Sequence, residues 1–276
     1  MNVAIIGLGL MGGSLALSLK KLDFIDRVIG YDHNPEHQST AMELQLVDAI
    51  ATFEEVKQSD VIFLAIPVNG ILRALEDLKT VPETTTIIDL GSTKEKIIEA
   101  VPQEIRKNFV AAHPMTGTEN FGPKAAIEGL YEDKVVVLCN LEDSGEVQCD
   151  TAKRIFKALN MKKHFMKAKE HDRHAAFISH MPHAISYSLA NTVLKQENKH
   201  NILALAAGGF RSMSRLAKSS PNMWEDIFRQ NKDNILEAIE LFETELSNMK
   251  TAIKNEEWDS VHKEMSDGNK LYDIFK

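Results

Sequence analysis

Through the first 140 residues of the chain, short apolar runs recur with charged, helix-like stretches between them. NVAIIG (2–7), RVIGYD (27–32), SDVIFLAIP (59–67), TTIIDLGS (85–92), FVAAH (109–113) and KVVVL (134–138) are rich in β-branched residues and carry few charges. Runs of this length and composition suit strands covered on both faces. Strand and helix in alternation predict a doubly wound α/β sheet of the Rossmann type. From about residue 168 the strand-like runs stop and helix-period segments take over. In EDIFRQNKDNILEAIELFETELSNMKTAI (225–253), Ile227, Ile235, Ile239, Phe242 and Leu246 are spaced along one side of a helix. The pattern divides the chain into an α/β part, residues 1–167, and an all-α part, residues 168–276.

Composition narrows the class. The chain has 276 residues, 43% hydrophobic and 26% charged, enough for one large core or two smaller ones. A formal charge of -8 gives no electrostatic reason to bind nucleic acid or an anionic membrane. Cys139 and Cys149 are too few for a disulfide scaffold or a thiolate metal site, which fits a reducing cytoplasm. The uncharged first nineteen residues do not read as a signal peptide or membrane span. Their basic residues, Lys20 and Lys21, come after the apolar stretch, and Gly7, Gly9, Gly12 and Gly13 interrupt it.

That segment reads instead as strand, turn and helix around Gly7-x-Gly9-x-x-Gly12. Such a triad is weak alone, but here a strand precedes it, a helix follows, and Asp32 closes a second strand twenty residues beyond Gly12. Gly7 permits the tight turn, Gly9 lets a pyrophosphate approach the backbone, and Gly12 lets helix and strand pack closely. Leu10 and Met11 sit at the helix N-terminus, where free N–H groups attract anions. Asp32 can accept hydrogen bonds from the adenosine ribose hydroxyls and would repel a 2′-phosphate. The following His33, Asn34 and Pro35 include no arginine, so the predicted cofactor is NAD.

Ligands on such sheets collect at the carboxyl ends of strands, which singles out Ala65, Ile66 and Pro67, the stretch from Asp89 to Ser92, and His113. His113 opens HPMTGTENFG (113–122), an irregular loop expected to lie where a nicotinamide would sit. The helical part carries His171, His174, His180 and His183. On a continuous helix the first pair points about 180° away from the second, so all four cannot face one ion, and no metal is expected. Of the four, His183 is the favoured site histidine, since Pro182 can turn the chain so that Ser179 and His183 address a cleft between the domains. Arg211 and Arg215, four apart, would share a helix face and could grip a carboxylate.

Together, GLGLMGGSLA at the start, DLGSTK (89–94), HPMTGTE (113–119), SHMPH (179–183) and SRLAKSSPNMW (214–224) resemble the prephenate dehydrogenase family over nearly the whole chain. The resemblance implies oxidative decarboxylation of prephenate by NAD in tyrosine biosynthesis, in a homodimer joined through the helical domains. It makes His113 the base that takes the 4-hydroxyl proton, a role for which an unperturbed pKa near 6.5 is suited. Ser92 would support that hydroxyl or His113, and Arg215 would hold a substrate carboxylate. His183 would contact the substrate side chain, Thr118 and Glu119 would line and gate the pocket, and Trp224 would reach across the dimer. Many relatives have an acidic residue three positions before the substrate arginine; here it is Ser212, so Arg215 needs another orienting partner, or Arg211 shares its role. Ending at Lys276, the chain is expected to lack the regulatory extension of some relatives and a fused chorismate mutase, which would place any tyrosine inhibition at the active site. Three rivals stand beside this reading: an arogenate dehydrogenase on the same scaffold, a catalytically silent NAD-binding sensor, and a β-hydroxyacid dehydrogenase. The last lacks an evident catalytic lysine, and the SHMPH stretch leans toward a keto acid.

Overall fold

A computed structural model of the chain describes residues 1–196 and 198–274. Eight strands form one sheet: β1 (Asn2–Ile6), β2 (Arg27–Tyr31), β3 (Ala49–Ile50), β4 (Val61–Leu64), β5 (Thr86–Asp89), β6 (Phe109–Pro114), β7 (Val135–Cys139) and β8 (Lys162–Met166). Their spatial order is β3-β2-β1-β4-β5-β6-β7-β8. All neighbours are parallel except β6 and β7. This is the doubly wound sheet that the apolar runs predict.

The central strands are buried on both faces because their successive side chains feed two different cores. Val3 and Ile5 join one cluster with Leu15, Leu19, Ile155 and Phe156, while Ala4 and Ile6 join the other with Ile71, Leu75 and Ile97. The first cluster is covered by α1 (Leu10–Leu19) and the last helix of the α/β part. The second is covered by two helices that follow β4 and β5. In chain order the helices are α1, α2 (Pro35–Glu43), α3 (Phe53–Val56), α4 (Val68–Asp77), α5 (Glu95–Glu99) and α6 (Glu146–Ala158). Helices on both faces force the right-handed crossovers of a parallel sheet, and so align the carboxyl ends of β1, β4, β5 and β6 along one edge. The register pairs Ile6 with Leu64, Leu64 with Asp89, and Asp89 with Ala111, so Gly7, Ala65, Leu90 and His113 all emerge there.

After β8 the chain is helical: α7 (Ala168–Ala175), a π-helical turn (Ala176–His180), α8 (Met181–Leu194), α9 (Lys199–Ala204), α10 (Gly208–Ser214), a 3₁₀ turn (Arg215–Lys218) and α11 (Pro221–Gln230). Residues 1–231 form one compact unit. A second unit, from residue 232 on, contains α12 (Lys232–Lys254), α13 (Trp258–Asn269) and α14 (Leu271–Ile274). The amphipathic stretch 225–253 is therefore two helices rather than one. Asn231 breaks it: the residue is 3% exposed, and its side-chain amide donates to the backbone oxygen of Asp172. That long-range anchor overrides the helical period. Among the described residues no helix is long and apolar enough to cross a membrane.

Candidate functional site

The glycine turn follows from steric necessity. Gly7 has φ +98°, and a Cβ there would overlap the Ala65 carbonyl oxygen; a Cβ on Gly12 would overlap the Gly7 carbonyl oxygen. Gly9, by contrast, has only the Gly122 amide nitrogen, 4.0 Å from where its Cβ would be. Gly9 also caps α1 without a side-chain hydrogen bond, leaving the N–H groups over Leu10, Met11 and Gly12 for an anion. Asp32, 6% exposed, accepts from the amides of Leu8 (2.8 Å) and Asn34 (2.9 Å). These bonds hold its carboxylate beside the turn; His37 Nδ1 also lies 3.3 Å from Oδ2, so the further acceptor capacity is at Oδ1. Ala65 and Ile66 are half-buried, and Pro67 is exposed at the start of α4.

Beyond β5 and β6, an ion pair ties the two strand ends together. Lys94 and Asp89 are both fully buried and paired, Lys94 Nζ also donates to the Ala112 carbonyl (2.8 Å), and the Ala112 amide donates to Asp89 (2.9 Å). Burial raises the Asp89 pKa against the opposing pull of Lys94. The DLGSTK motif holds both charges, but sequence alone does not pair them. Their five-residue spacing around a Gly-Ser turn was the available signal.

His113 stands at the end of β6, directly after that clamp. Its Nδ1 lies 2.8 Å from Nε2 of His171, and His171 Nδ1 lies 2.8 Å from Asp172 Oδ1. The rings of His113 and His171 meet edge to face at 5.0 Å. Burial, then the neighbouring His171, Lys94 and His180, push the His113 pKa well below 6.5. This corrects the expectation of an unperturbed imidazole. Ser92, expected beside His113, forms no hydrogen bond to it among the described residues.

The histidine cluster also departs from a continuous helix. The π-helical turn between α7 and α8 widens the spiral, and such turns are frequent at functional sites. Asn231 Nδ2 bridges the Asp172 carbonyl (2.7 Å) and His180 Nδ1 (3.0 Å), so these two residues share a side of the helix. Burial lowers the pKa of His180 to about 4. His183 Nδ1 donates to the Ser179 carbonyl (2.8 Å), and its ring stacks on Trp224 with centroids 3.5 Å apart. Burial also lowers its pKa. Trp224 is 6% exposed and packs within its own chain against His180, His183 and Phe228. Its Nε1 and the Nε2 of His180 have no hydrogen-bond partner among the described residues. No group of three or more metal-ligating side chains occurs there either.

Arg211 and Arg215 do not act as one patch. The α-helix ends at Ser214 and tightens to 3₁₀ at Arg215, while Arg211 reaches back to the Ala206 carbonyl (3.2 Å). Arg215 pairs with Glu119 at 3.0 Å, so an acid from the HPMTGTENFG loop stands beside the guanidinium where Ser212 offers no carboxylate. The Glu119 carboxyl is held below its ordinary pKa by its own backbone N–H and by Arg215. Thr118 accepts from the Asn120 amide (3.2 Å), which shapes the loop locally. The arrangement offers an anion cradle at a helix N-terminus, a partly exposed imidazole at a strand end, and a half-exposed guanidinium paired with a loop carboxylate.

Two family models match most of the chain: "Prephenate dehydrogenase, nucleotide-binding domain" at residues 15–164, and "Prephenate dehydrogenase, dimerization domain" at 167–267. A prephenate dehydrogenase of Bacillus subtilis is 34% identical over 94% of this chain and 72% of its own length. A crystal structure of Aquifex aeolicus prephenate dehydrogenase with hydroxyphenyl propionate and NAD+ superposes with a TM-score of 0.92 at 31% identity, covering 100% of this chain and 98% of that one. Synechocystis arogenate dehydrogenase gives 0.81 at 27% identity, with both chains covered completely.

Proposed function

The chain belongs to the prephenate dehydrogenase family, and on that premise we propose that it catalyses the NAD-dependent oxidative decarboxylation of prephenate to 4-hydroxyphenylpyruvate. The observation that carries the reading is the placement of His113 on the sheet edge shared with the glycine turn. The open backbone at Gly9, the uncapped start of α1 and the fixed Asp32 carboxylate suit a dinucleotide, and NAD, when bound, supplies the hydride acceptor. His113 takes the proton of the 4-hydroxyl. The ring carboxylate then leaves as carbon dioxide and the ring becomes aromatic. Arg215 exchanges Glu119 for a substrate carboxylate, Thr118 and Ser179 line the pocket, and Ser92 supports the reacting hydroxyl. The boundary at 167/168 divides a cofactor domain from a helical domain that forms a homodimer. Leu236, Leu246, Trp258 and Met265 are large exposed apolar side chains suited to such an interface. The enzyme works in the cytoplasm.

One observation favours arogenate as a second substrate. Because a carbonyl only accepts, the contact with Ser179 makes His183 Nδ1 the donor, and neutral His183 offers only a lone pair at Nε2. A lone pair suits the ammonium group of arogenate, whereas the keto group of prephenate needs a donor. NADH formation measured with each substrate tests both readings. A turnover with neither would leave a silent NAD-binding protein.

Asp32→Ala is expected to reduce the preference for NAD over NADP by about 10- to 100-fold, the value of one or two charge-assisted hydrogen bonds. Since Asp32 also holds the Leu8 amide, part of the change comes from a loosened turn and weaker NAD binding. The ratio of kcat/KM values for the two cofactors checks this, and an unchanged ratio would remove Asp32 from cofactor choice.

A further inference from the structure

We propose that His171 and Asp172 are positioning residues for the base, setting the tautomer of His113 and receiving the positive charge that His113 acquires. The proposal rests on the reading of His113 as the base and extends it to two residues in α7.

With Asp172 a carboxylate and both rings neutral, the hydrogen bonds fix which nitrogen of each ring carries the proton. Asp172 accepts from the amides of Lys94 (2.7 Å, Oδ1) and Glu95 (2.9 Å, Oδ2), and as a carboxylate it offers only lone pairs. His171 Nδ1, 2.8 Å from the same Oδ1, must therefore carry hydrogen. In the neutral ring that leaves a lone pair on His171 Nε2. His113 Nδ1, 2.8 Å away, must then be the N–H donor, and its own lone pair is confined to Nε2. An isolated neutral imidazole divides itself between two tautomers. This one is held in the single form that presents a base on the side away from α7.

The same chain serves the charged state. When the substrate O–H bond breaks and His113 Nε2 takes the proton, the Nδ1–H bond points at the His171 lone pair. The proton can move across it, which forms His171 Nε2–H and puts the charge beside Asp172. The other charged or titratable groups facing His113 are Lys94, itself paired with Asp89, and His180. Neither supplies a negative charge, and Asp89, which also faces His171, is already offset by its pairing with Lys94. Asp172 is the carboxylate in direct hydrogen-bond contact with the pair, and its burial at 2% exposure strengthens its effect on a protonated ring. It is anchored to the segment that also carries Lys94, so the orientation of the relay is coupled to the clamp between β5 and β6.

Asp172→Asn tests the chain because all three partners of the carboxylate are donors, so an amide nitrogen must face one of them. If it faces His171, the ring reverses, His171 Nε2–H points at His113 Nδ1, and the base position becomes an N–H. We expect kcat to fall about 10²-fold, with the KM for NAD nearly constant and the acid limb of the kcat–pH profile displaced. Since Asp172 also receives two backbone amides, His171→Gln and His171→Leu provide a second route. A glutamine oxygen can accept from His113 Nδ1 and should keep the tautomer while losing the charge relay, so it should retain at least several-fold more activity than leucine. Histidine ¹⁵N spectra report the tautomer directly. Folded variants with kcat within twofold of wild type and an unmoved acid limb would overturn the proposal. In that event an inactive His113→Asn protein would show that the proposed function survives, with His113 acting alone.

Discussion

His113→Asn is expected to fold normally, bind NAD with nearly unchanged affinity, and turn over about 10²- to 10⁴-fold more slowly, the usual contribution of a positioned general base. The backbone of His113 lies in β6 and pairs with Val137, neither of which depends on the imidazole. The cofactor cradle is built from Gly7 to Gly12 and Asp32, at the ends of β1 and β2, with β4 and β5 between β1 and β6. Loss of the ring should therefore register in the chemical step. The pH dependence gives a second, independent signature. The base must be neutral, and burial beside His171, Lys94 and His180 makes protonation of His113 harder than in a free imidazole. Its folded pKa is below 6.5, so the neutral form persists through pH 6.5 and is lost only as pH falls further, through the lowered value. Wild-type kcat/KM should be flat across neutrality, with an acid limb below 6.5 that is absent or displaced in the variant. Circular dichroism and NAD titration supply the controls. A folded variant with near-normal turnover would pass the role to another group, and His183 would be next to examine.

How much of this was legible beforehand depends on the range over which each feature is specified. The central strands were visible because a strand buried on both faces is apolar at every position, as VIFL in β4 is. Edge strands lack that signature: β8 reads KKHFM and is largely exposed, and β3 has two residues, so neither stood out. The glycine turn and Asp32 were legible because their chemistry is local, each residue serving a backbone conformation or an anion within one βαβ unit. The relay was not. His113 and His171 are 58 residues apart, and what joins them is the packing of α7 onto the end of β6. An angular argument on a continuous helix could not anticipate the π-helical turn after Ala175, nor the buried Asn231 that links Asp172 to His180. With Ser212 three positions before it, Arg215 has no acid within reach on its own helical turn. The acid came from a loop 96 residues away in sequence, beyond the reach of any helix spacing.

That exchange partner sets the size of the effect expected from Arg215→Ala. Removing a guanidinium that grips a buried carboxylate typically costs 2 to 5 kcal/mol, much of it the burden of an unpaired charge. Here two features place the loss at the lower end. The Arg215 side chain is 52% exposed, so water screens what remains after truncation, and in the free protein it already holds Glu119. Substrate binding replaces one carboxylate by another, and only the difference between them appears as affinity. The expected change is about 2 kcal/mol, or roughly 30-fold in KM for the substrate, with NAD affinity unchanged. Exchange also predicts an effect of opposite sign. Glu119→Gln frees the guanidinium and should lower the substrate KM, by no more than about fivefold, the range open to an exposed ion pair. Steady-state kinetics on both variants separate the possibilities. If Arg215→Ala leaves KM unchanged, the carboxylate is held elsewhere, with Arg211 the first alternative. If Glu119→Gln raises KM several-fold, Glu119 acts as an orienting partner that the guanidinium keeps when substrate is bound, and the exchange of one carboxylate for the other does not occur.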